Sequence, residues 1–295
     1  MLSILIPTYN YNALPLVEKL YEQCVEAEIV FEIIVLDDKS TDLNFLIENS
    51  KINTKANCKF DVLENNIGRS AIRNLLAKKA AYEDLLFLDV DTIPVHKNFI
   101  STYVSQINKE ERIVYGGILY QNQKPHKTQL LRWVYGNKRE ALSVKERNKN
   151  VYVSFLTLNF LIKKNIFNKV LFNENIPNLR HEDTLFSFDL KRNQISISHL
   201  NNPVYHIGIE NSIAFLKKSE ESIIGLHFLI SNNYLDYNYT KLGLTYFYLK
   251  KMRVIEIVNY LFTKVKFLFK RNLLSKNPSL FIFDLYRICY YCSLK

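Results

Sequence analysis

A chain of 295 residues that is 48% hydrophobic and 23% charged can bury a sizeable core and is excluded from wholesale disorder. Its net charge of +10 is unevenly placed: residues 241–295 hold 11 Lys/Arg against 2 Asp/Glu, a net +9, which leaves +1 for residues 1–240. Basic character therefore belongs to the C-terminal tail, and an acidic surface, membrane or nucleic acid, would be met there rather than by the body.

The opening "MLSILIPTYN" lacks a basic stretch followed by an apolar core and a small-residue cleavage site, so no secretory leader is expected and the chain is placed in the cytoplasm. "LSILIP" (2–7) and "FEIIVLDD" (31–38) are short Ile/Val-rich runs separated by a helical stretch over 12–27, the pattern of a parallel sheet buried on both faces. "KFDVLE" (59–64) predicts a third strand, "GRSAIRNLLAKKAAY" (68–82) a helix and "DLLFLDVD" (84–91) a fourth strand. The first 95 residues thus read as an α/β nucleotide-binding half. "RIVYGGILYQ" (112–121) and "VYVSFLTLNFLI" (151–162) predict strands, with 122–150 a polar loop-and-helix region over a cleft. "HEDTLFSFDLKRN" (181–193) predicts a helix with acids in its first turn. Short strands follow near 195–198 and 203–207, then a long helix over 212–231. Near the end, "MRVIEIVNYLFTKVKFLFKR" (252–271) predicts an amphipathic helix. Val254, Val258, Leu261, Phe262, Val265, Leu268 and Phe269 share one face, and Glu256, Asn259, Thr263, Lys266 and Lys270 the other. Lysines interrupt any run long enough to cross a bilayer. Cys24, Cys58, Cys289 and Cys292 suit unpaired thiols in a reducing compartment. The single C-x-x-C at Cys289 and Cys292 lacks the second pair or the His that a zinc site needs.

Acids gather where such strands end. Asp89 and Asp91, at i and i+2, would share one side of a strand and reach the crevice where open α/β sheets bind ligands. Oxygen ligands there suit Mg²⁺ or Mn²⁺ holding a diphosphate, though a solvated turn is the plainer reading of Asp-x-Asp alone. Asp37 and Asp38 close the second strand, where Asp38 could accept from a base or ribose while Ser40 or Asp42 caps the next helix. Arg69 and Arg73 share a helix face near its N-terminus and suit phosphate or a nucleobase edge, or else a solvated basic face.

Taken in order, "ILIPTYN" (4–10), "VLDDKSTD" (35–42), "NNIGRSAIRN" (65–74), "FLDVDT" (87–92), "LNFLIKKNIF" (158–167), "HEDTLF" (181–186) and "NPVYHIG" (202–208) resemble an inverting family 2 glycosyltransferase of bacterial polysaccharide type, over roughly residues 1–225. The resemblance implies the GT-A fold, a Rossmann-like mixed sheet flanked by helices. Its domain would be 1–240, with 1–95 the nucleotide-binding half and 96–240 the acceptor half, followed by a basic amphipathic helical appendage, 241–295. It implies that Pro7, Tyr9 and Asp38 line base and ribose, with Arg69 or Arg73 near. Asp89 would lie toward the ribose or the metal, Asp91 would bind Mn²⁺ or Mg²⁺, and His206 would help close the metal or diphosphate site unless it is a core histidine. Asp183 would be the catalytic base, with Glu182 orienting it or binding the acceptor. The segment "VLFNENIPNLRHED" (170–183) lacks the Gly-rich aromatic turn usual in the family, and 135–150 matches nothing in it, so donor sugar and acceptor stay open.

A UDP-sugar donor and a glycan or lipid-linked glycan acceptor in cell-surface polysaccharide synthesis follow from the resemblance. The tail is expected to dock on the anionic inner face of the cell membrane, or else to pack on its own domain or on a homodimer mate. A sugar nucleotidyltransferase or a dinucleotide oxidoreductase would carry a Gly-rich loop after the first strand, and "PTYNYNA" (7–13) has no glycine. A nucleic-acid-binding protein is the non-enzymatic rival, disfavoured because the tail's apolar residues gather on one face.

Overall fold

The computed structural model describes residues 1–107 and 112–294. Residues 108–111 of the expected acceptor half and residue 295 of the expected tail lie outside them. In chain order the elements begin β1 (Leu2–Thr8), α1 (Leu14–Glu26), β2 (Phe31–Asp37), α2 (Leu43–Ser50), β3 (Cys58–Val62), α3 (Gly68–Lys79), β4 (Asp84–Leu88), β5 (Thr92–Pro94) and α4 (Phe99–Val104). They continue with β6 (Ile113–Tyr115), β7 (Ile118–Leu119), α5 (Leu130–Tyr135), α6 (Val144–Arg147), β8 (Asn159–Lys163), α7 (Lys164–Phe167), α8 (Glu182–Arg192), β9 (Ile197–His199) and β10 (Val204–His206). The last helices are α9 (Ser212–Ser231), α10 (Lys241–Lys251), α11 (Ile255–Leu273) and α12 (Leu280–Cys292). They pack as two compact units, one of Met1–Leu119, Ala141–Asn175 and Glu182–Gly208, the other of Tyr120–Glu140, Ile176–His181 and Ile209–Lys295.

In the first unit, β1 reads Leu-Ser-Ile-Leu-Ile-Pro-Thr and is buried on both faces except at Pro7, as a central parallel strand requires. It pairs in parallel with β2 and β4, and β2 with β3. The described sheet runs β3, β2, β1, β4, β8, β6, β9, with β8 antiparallel to both β4 and β6. Because β1, β2 and β4 are parallel, their carboxyl ends, and the residues that follow them, open on one edge. Beneath them Phe87 stacks on Phe160 at 4.9 Å and Phe172 on Phe186 at 4.2 Å. Each such ring, taken from water, contributes about 1.5–3 kcal/mol before entropy is counted.

Two strand expectations change. The run 112–121 divides at Gly116 and Gly117 into β6 and β7, which belong to different sheets. Gly117 sits at φ +100, and a Cβ on Gly116 would stand 2.2 Å from the carbonyl oxygen of Asn202, so the chain turns where only glycine fits. The run 151–162 yields a strand only over Asn159–Lys163, since Ser154 and Phe155 donate backward to the carbonyls of Asn150 and Tyr152 in tight turns. A second small sheet, β5, β10, β7, pairs β10 antiparallel to β5 with His206 opposite Thr92.

The second unit is helical. Leu131, Leu216, Phe262, Leu273, Phe283 and Tyr286 form its core. The predicted amphipathic helix is present as α11, but its inward face is rotated from the expected one. Phe262 and Leu273 are buried, whereas Leu261 and Leu268, expected on the same face, are 54% and 50% exposed. Lys266 and Lys270, expected in solvent, turn partly inward. Lys266 Nζ lies 5.4 Å from the Phe262 ring and 5.5 Å from the Tyr290 ring, and Lys270 Nζ 3.6 Å from Glu220 Oε1. Aromatic rings and a carboxylate on neighbouring helices draw in the two ammonium groups, a partnership that helical periodicity does not reveal.

Candidate active site

The edge is built first by backbone ties between loops. Near the end of β1 Pro7 is partly exposed between buried Ile6 and Thr8, and just past the strand Tyr9 stands 50% exposed. Asn10 takes a left-handed backbone at φ 49, donates its N–H to Ser40 Oγ at 2.6 Å and accepts at Oδ1 from the N–H groups of Thr41 and Asp42. Asp37 accepts from both the N–H and the Oγ of Ser40. Asn10 was not singled out in the sequence and Ser40 only as an alternative helix cap, although Asn closing "ILIPTYN" is, after glycine, a residue type that tolerates a left-handed turn well.

Asp38 is buried, and its oxygens accept from the N–H groups of Ile67 (2.7 Å) and Gly68 (3.0 Å), so it anchors the start of α3 to the end of β2. Each oxygen keeps a lone pair for a ligand. Asp42, as expected, caps α2 by accepting from Asn44 N–H. Gly68, at φ 82, supplies a turn that other residues enter at a cost.

From α3 the two arginines part. Arg69 is half-exposed, while Arg73 is buried, with Nη2 donating to Asp89 Oδ1 at 2.8 Å and Nη1 3.7 Å from Glu182 Oε1. Arg69 Nη1 lies 3.9 Å from that same oxygen. Burial alone would lower the Arg73 pKa, but Asp89 and Glu182 outweigh it and hold the guanidinium charged more firmly than usual. The buried arginine thereby ties together the acids that follow β4 and open α8.

The strand-parity argument for Asp89 and Asp91 does not hold, because β4 ends at Leu88 and Asp91 lies in a turn. Thr92 Oγ1 closes that turn on the Asp89 carbonyl at 2.7 Å, and the two carboxylates find different partners. Asp89 meets Arg73, whereas Asp91 Oδ2 lies 3.2 Å from His206 Nε2. The small sheet makes the second pairing: β10 lies along β5, and Ile207 N–H donates to the Asp91 carbonyl at 2.9 Å. A Cβ on Gly208 would stand 2.7 Å from Asp91 Oδ2, so the carboxylate occupies space that only glycine leaves.

Asp91 and His206 offer one hard oxygen and one imidazole nitrogen, a donor set that fits Mn²⁺ better than Mg²⁺, which takes oxygen ligands. Among the described residues no group of three or more His, Cys, Asp or Glu could enclose an ion. Two protein ligands with the remaining positions left to phosphate oxygens is how such ions are commonly held at a diphosphate.

Glu182 and Asp183 open α8, where the helix N-terminus favours negative charge. Asp183 Oδ1 accepts from Thr184 N–H at 2.6 Å. Burial, reinforced by the charge of Glu182, pushes its carboxyl up to about 6. Just before it, Arg180 and His181 both adopt positive φ, 67 and 73. In the segment whose sequence lacks the Gly-rich turn usual in the resembled family, this chain places two residues with side chains in the left-handed region, at about 1 kcal/mol or more each.

A cavity of ≈ 400 Å³ lies at the other edge of the sheet, where Phe31 and Cys58 begin β2 and β3, and none of these acids lines it. The acids instead cluster at the carboxyl edge, as open α/β sheets require.

The family model for glycosyl transferase family 2 matches residues 3–171. No curated protein matches the chain. Among solved structures, residues 1–349 of TarS from S. aureus are 22% identical with a TM-score of 0.50, over 76% of this chain and 65% of that one, so this chain spans just under two thirds of that length. TarS 1–349 in complex with UDP is 18% identical with a TM-score of 0.50, over 99% and 89% of the two chains. The mannosyltransferase PcManGT from Pyrobaculum calidifontis, solved with GDP-Man and Mn²⁺, is 13% identical with a TM-score of 0.53, over 78% and 64%. With a family match across more than half of its length and a sheet shared with these structures, the chain belongs to glycosyl transferase family 2, a family of glycosyltransferase enzymes, and has the GT-A fold.

Proposed function

We propose that this chain transfers a sugar, with inversion, from a nucleotide-sugar to a hydroxyl of a glycan or lipid-linked glycan acceptor in cell-surface polysaccharide synthesis. The observation that carries the reading is buried Arg73 joining Asp89 to Glu182, the neighbour of Asp183, while Asp91, two residues past Asp89, pairs with His206. Pro7, Tyr9 and Asp38 would receive base and ribose at the edge formed by β1 and β2. Asp91 and His206 would hold Mn²⁺ or Mg²⁺, with Asp89 committed mainly to Arg73. A divalent ion there supplies Lewis-acid compensation for the charge of the departing diphosphate.

Asp183 is assigned as the base. It takes the proton of the acceptor hydroxyl as the oxygen–C1 bond forms and the C1–diphosphate bond breaks on the opposite face. A carboxyl at about 6 is ionised at neutral pH and basic enough for the task. Glu182, facing two guanidiniums, has its charge committed and acts by orienting and raising Asp183. One base and a direct displacement invert the anomeric centre, unlike the two-carboxylate scheme of glycoside hydrolysis.

A UDP-sugar is the preferred donor, in keeping with the UDP in the TarS complex; the GDP-Man of the Pyrobaculum calidifontis neighbour makes GDP-sugars the second choice. Residues 241–295 are assigned as a tail that brings the enzyme to the anionic cytoplasmic face of the membrane. No described helix is long and apolar enough to cross it.

A thermal-shift panel of UDP-, GDP-, dTDP- and CMP-sugars with and without Mn²⁺ tests the reading. One donor should stabilise the chain in a metal-dependent way, and Asp91→Ala should abolish the effect. Asp183→Asn should keep that stabilisation and lose transfer. No response to any donor would overturn the proposal, and transfer by Asp183→Asn would remove Asp183 as base.

A further inference from the structure

Helix α11 is apolar on two sides. Its inward side puts Phe262 and Leu273 into the core of its unit. On the opposite side Ile257, Tyr260, Leu261, Phe267 and Leu268 are 60%, 64%, 54%, 71% and 50% exposed. Positions 257, 260, 261, 264, 268 and 271 recur at three- and four-residue spacing, with 267 at the margin, so they form one stripe about 21 Å long. Single exposed apolar residues are ordinary, but a continuous row of this kind marks an interaction surface.

The charges on the stripe select the occupant. Lys264 and Arg271 lie within it, Lys250, Lys251 and Arg253 directly precede α11, and Glu256 is the helix's lone acid. A second copy laid against this face with two-fold symmetry would bring cations close to cations. An anionic lipid surface matches both features, since rings and aliphatic chains enter the boundary between headgroups and acyl chains while Lys and Arg meet phosphate. Lys264 Nζ stands 5.5 Å from the Tyr260 ring, which pairs an interfacial aromatic with a cation at the same depth.

We propose that the outward stripe of α11 is the surface by which this chain lies on an anionic membrane leaflet. Ile257, Tyr260, Leu261, Phe267 and Leu268 insert, and Lys264 and Arg271 bind lipid phosphates. The inserted face thus shares only Leu261 and Leu268 with the face that helical periodicity alone selects. This deepens the proposed membrane-side action and rests on it, while the donor panel tests sugar transfer separately.

The test uses the full chain and vesicles of phosphatidylcholine with about 30% phosphatidylglycerol, in a sedimentation assay. The wild-type chain should bind, and less so as salt rises. Phe267→Glu with Leu268→Glu should weaken binding about tenfold or more. Lys264→Glu with Arg271→Glu should remove the preference over phosphatidylcholine alone. All of these side chains are largely exposed or at the helix surface, so melting temperature and donor-induced stabilisation should stay as in the wild type, which separates lost docking from lost folding or lost donor binding. Equal binding by the Phe267/Leu268 variant, or no binding by the wild type, would overturn the proposal. So would a wild-type dimer that this variant converts to monomer, since the stripe would then belong to a second copy.

Discussion

Arg73→Met removes the guanidinium that Asp89 and Glu182 share while keeping much of the side chain's apolar bulk over the Phe172 ring, 5.4 Å away. Two carboxylates, one of them only 14% exposed, would then face each other without their cation. Breaking a buried ion pair by deleting one partner costs about 3–5 kcal/mol, because the remaining charge is left uncompensated. For a domain of this size that corresponds to a fall in Tm of about 10 °C. The effect should also reach the base. Arg73 lowers the Asp183 carboxyl, opposing burial and Glu182, so its loss should move the acidic limb of kcat/KM upward from about 6. Calorimetry of Arg73→Met, Glu182→Gln and the double variant supplies the control, because neutralising Glu182 should return part of the stability lost. Melting within about 1 °C of wild type, with an unmoved acidic limb, would refute the view that this arginine holds the acids together.

Asp183→Asn should change stability with a definite sign. The folded pKa is raised, so the ionised form opposes folding above about 6, and stability returns as pH falls from there toward the ordinary carboxyl value. The variant should melt higher than wild type at pH 7.5, and the gap should close by about pH 4. Gly208→Ala should push Asp91 from its place, with a Cβ only 2.7 Å from Oδ2. It should raise the Mn²⁺ concentration needed for donor-induced stabilisation by about tenfold, while Tm without donor changes little. Buried His199 is held neutral, with burial pushing its pKa down to about 4, its Nδ1 facing Arg147 Nη1 at 3.3 Å and Nε2 facing the Val151 carbonyl at 2.9 Å. A depressed folded value means stability that is full above about 6.5 and lost as pH falls toward 4. Acid titration of unfolding should therefore be shallower in His199→Gln.

Much of this molecule was legible in its residues. The Ile/Val-rich runs 2–7 and 31–38 became β1 and β2 because a parallel sheet covered on both faces admits little else, and the long helix expected over 212–231 is α9. Asp89, Asp91, Glu182 and Asp183 were picked out because acids beside apolar strands and at a helix start are informative in themselves. Their partners were not legible. Arg73 with Glu182, and Asp91 with His206, are separated by more than a hundred positions, and no local period couples such residues. The side each acid serves was settled by where β4 stops and by β10 lying along β5. The same holds for α11: its sequence determined a basic helix with abundant apolar residues, but which of two apolar faces turns inward was decided by Phe283, Tyr286 and Glu220 on other helices. Composition and periodicity report what a segment must bury; only packing among distant segments decides against what.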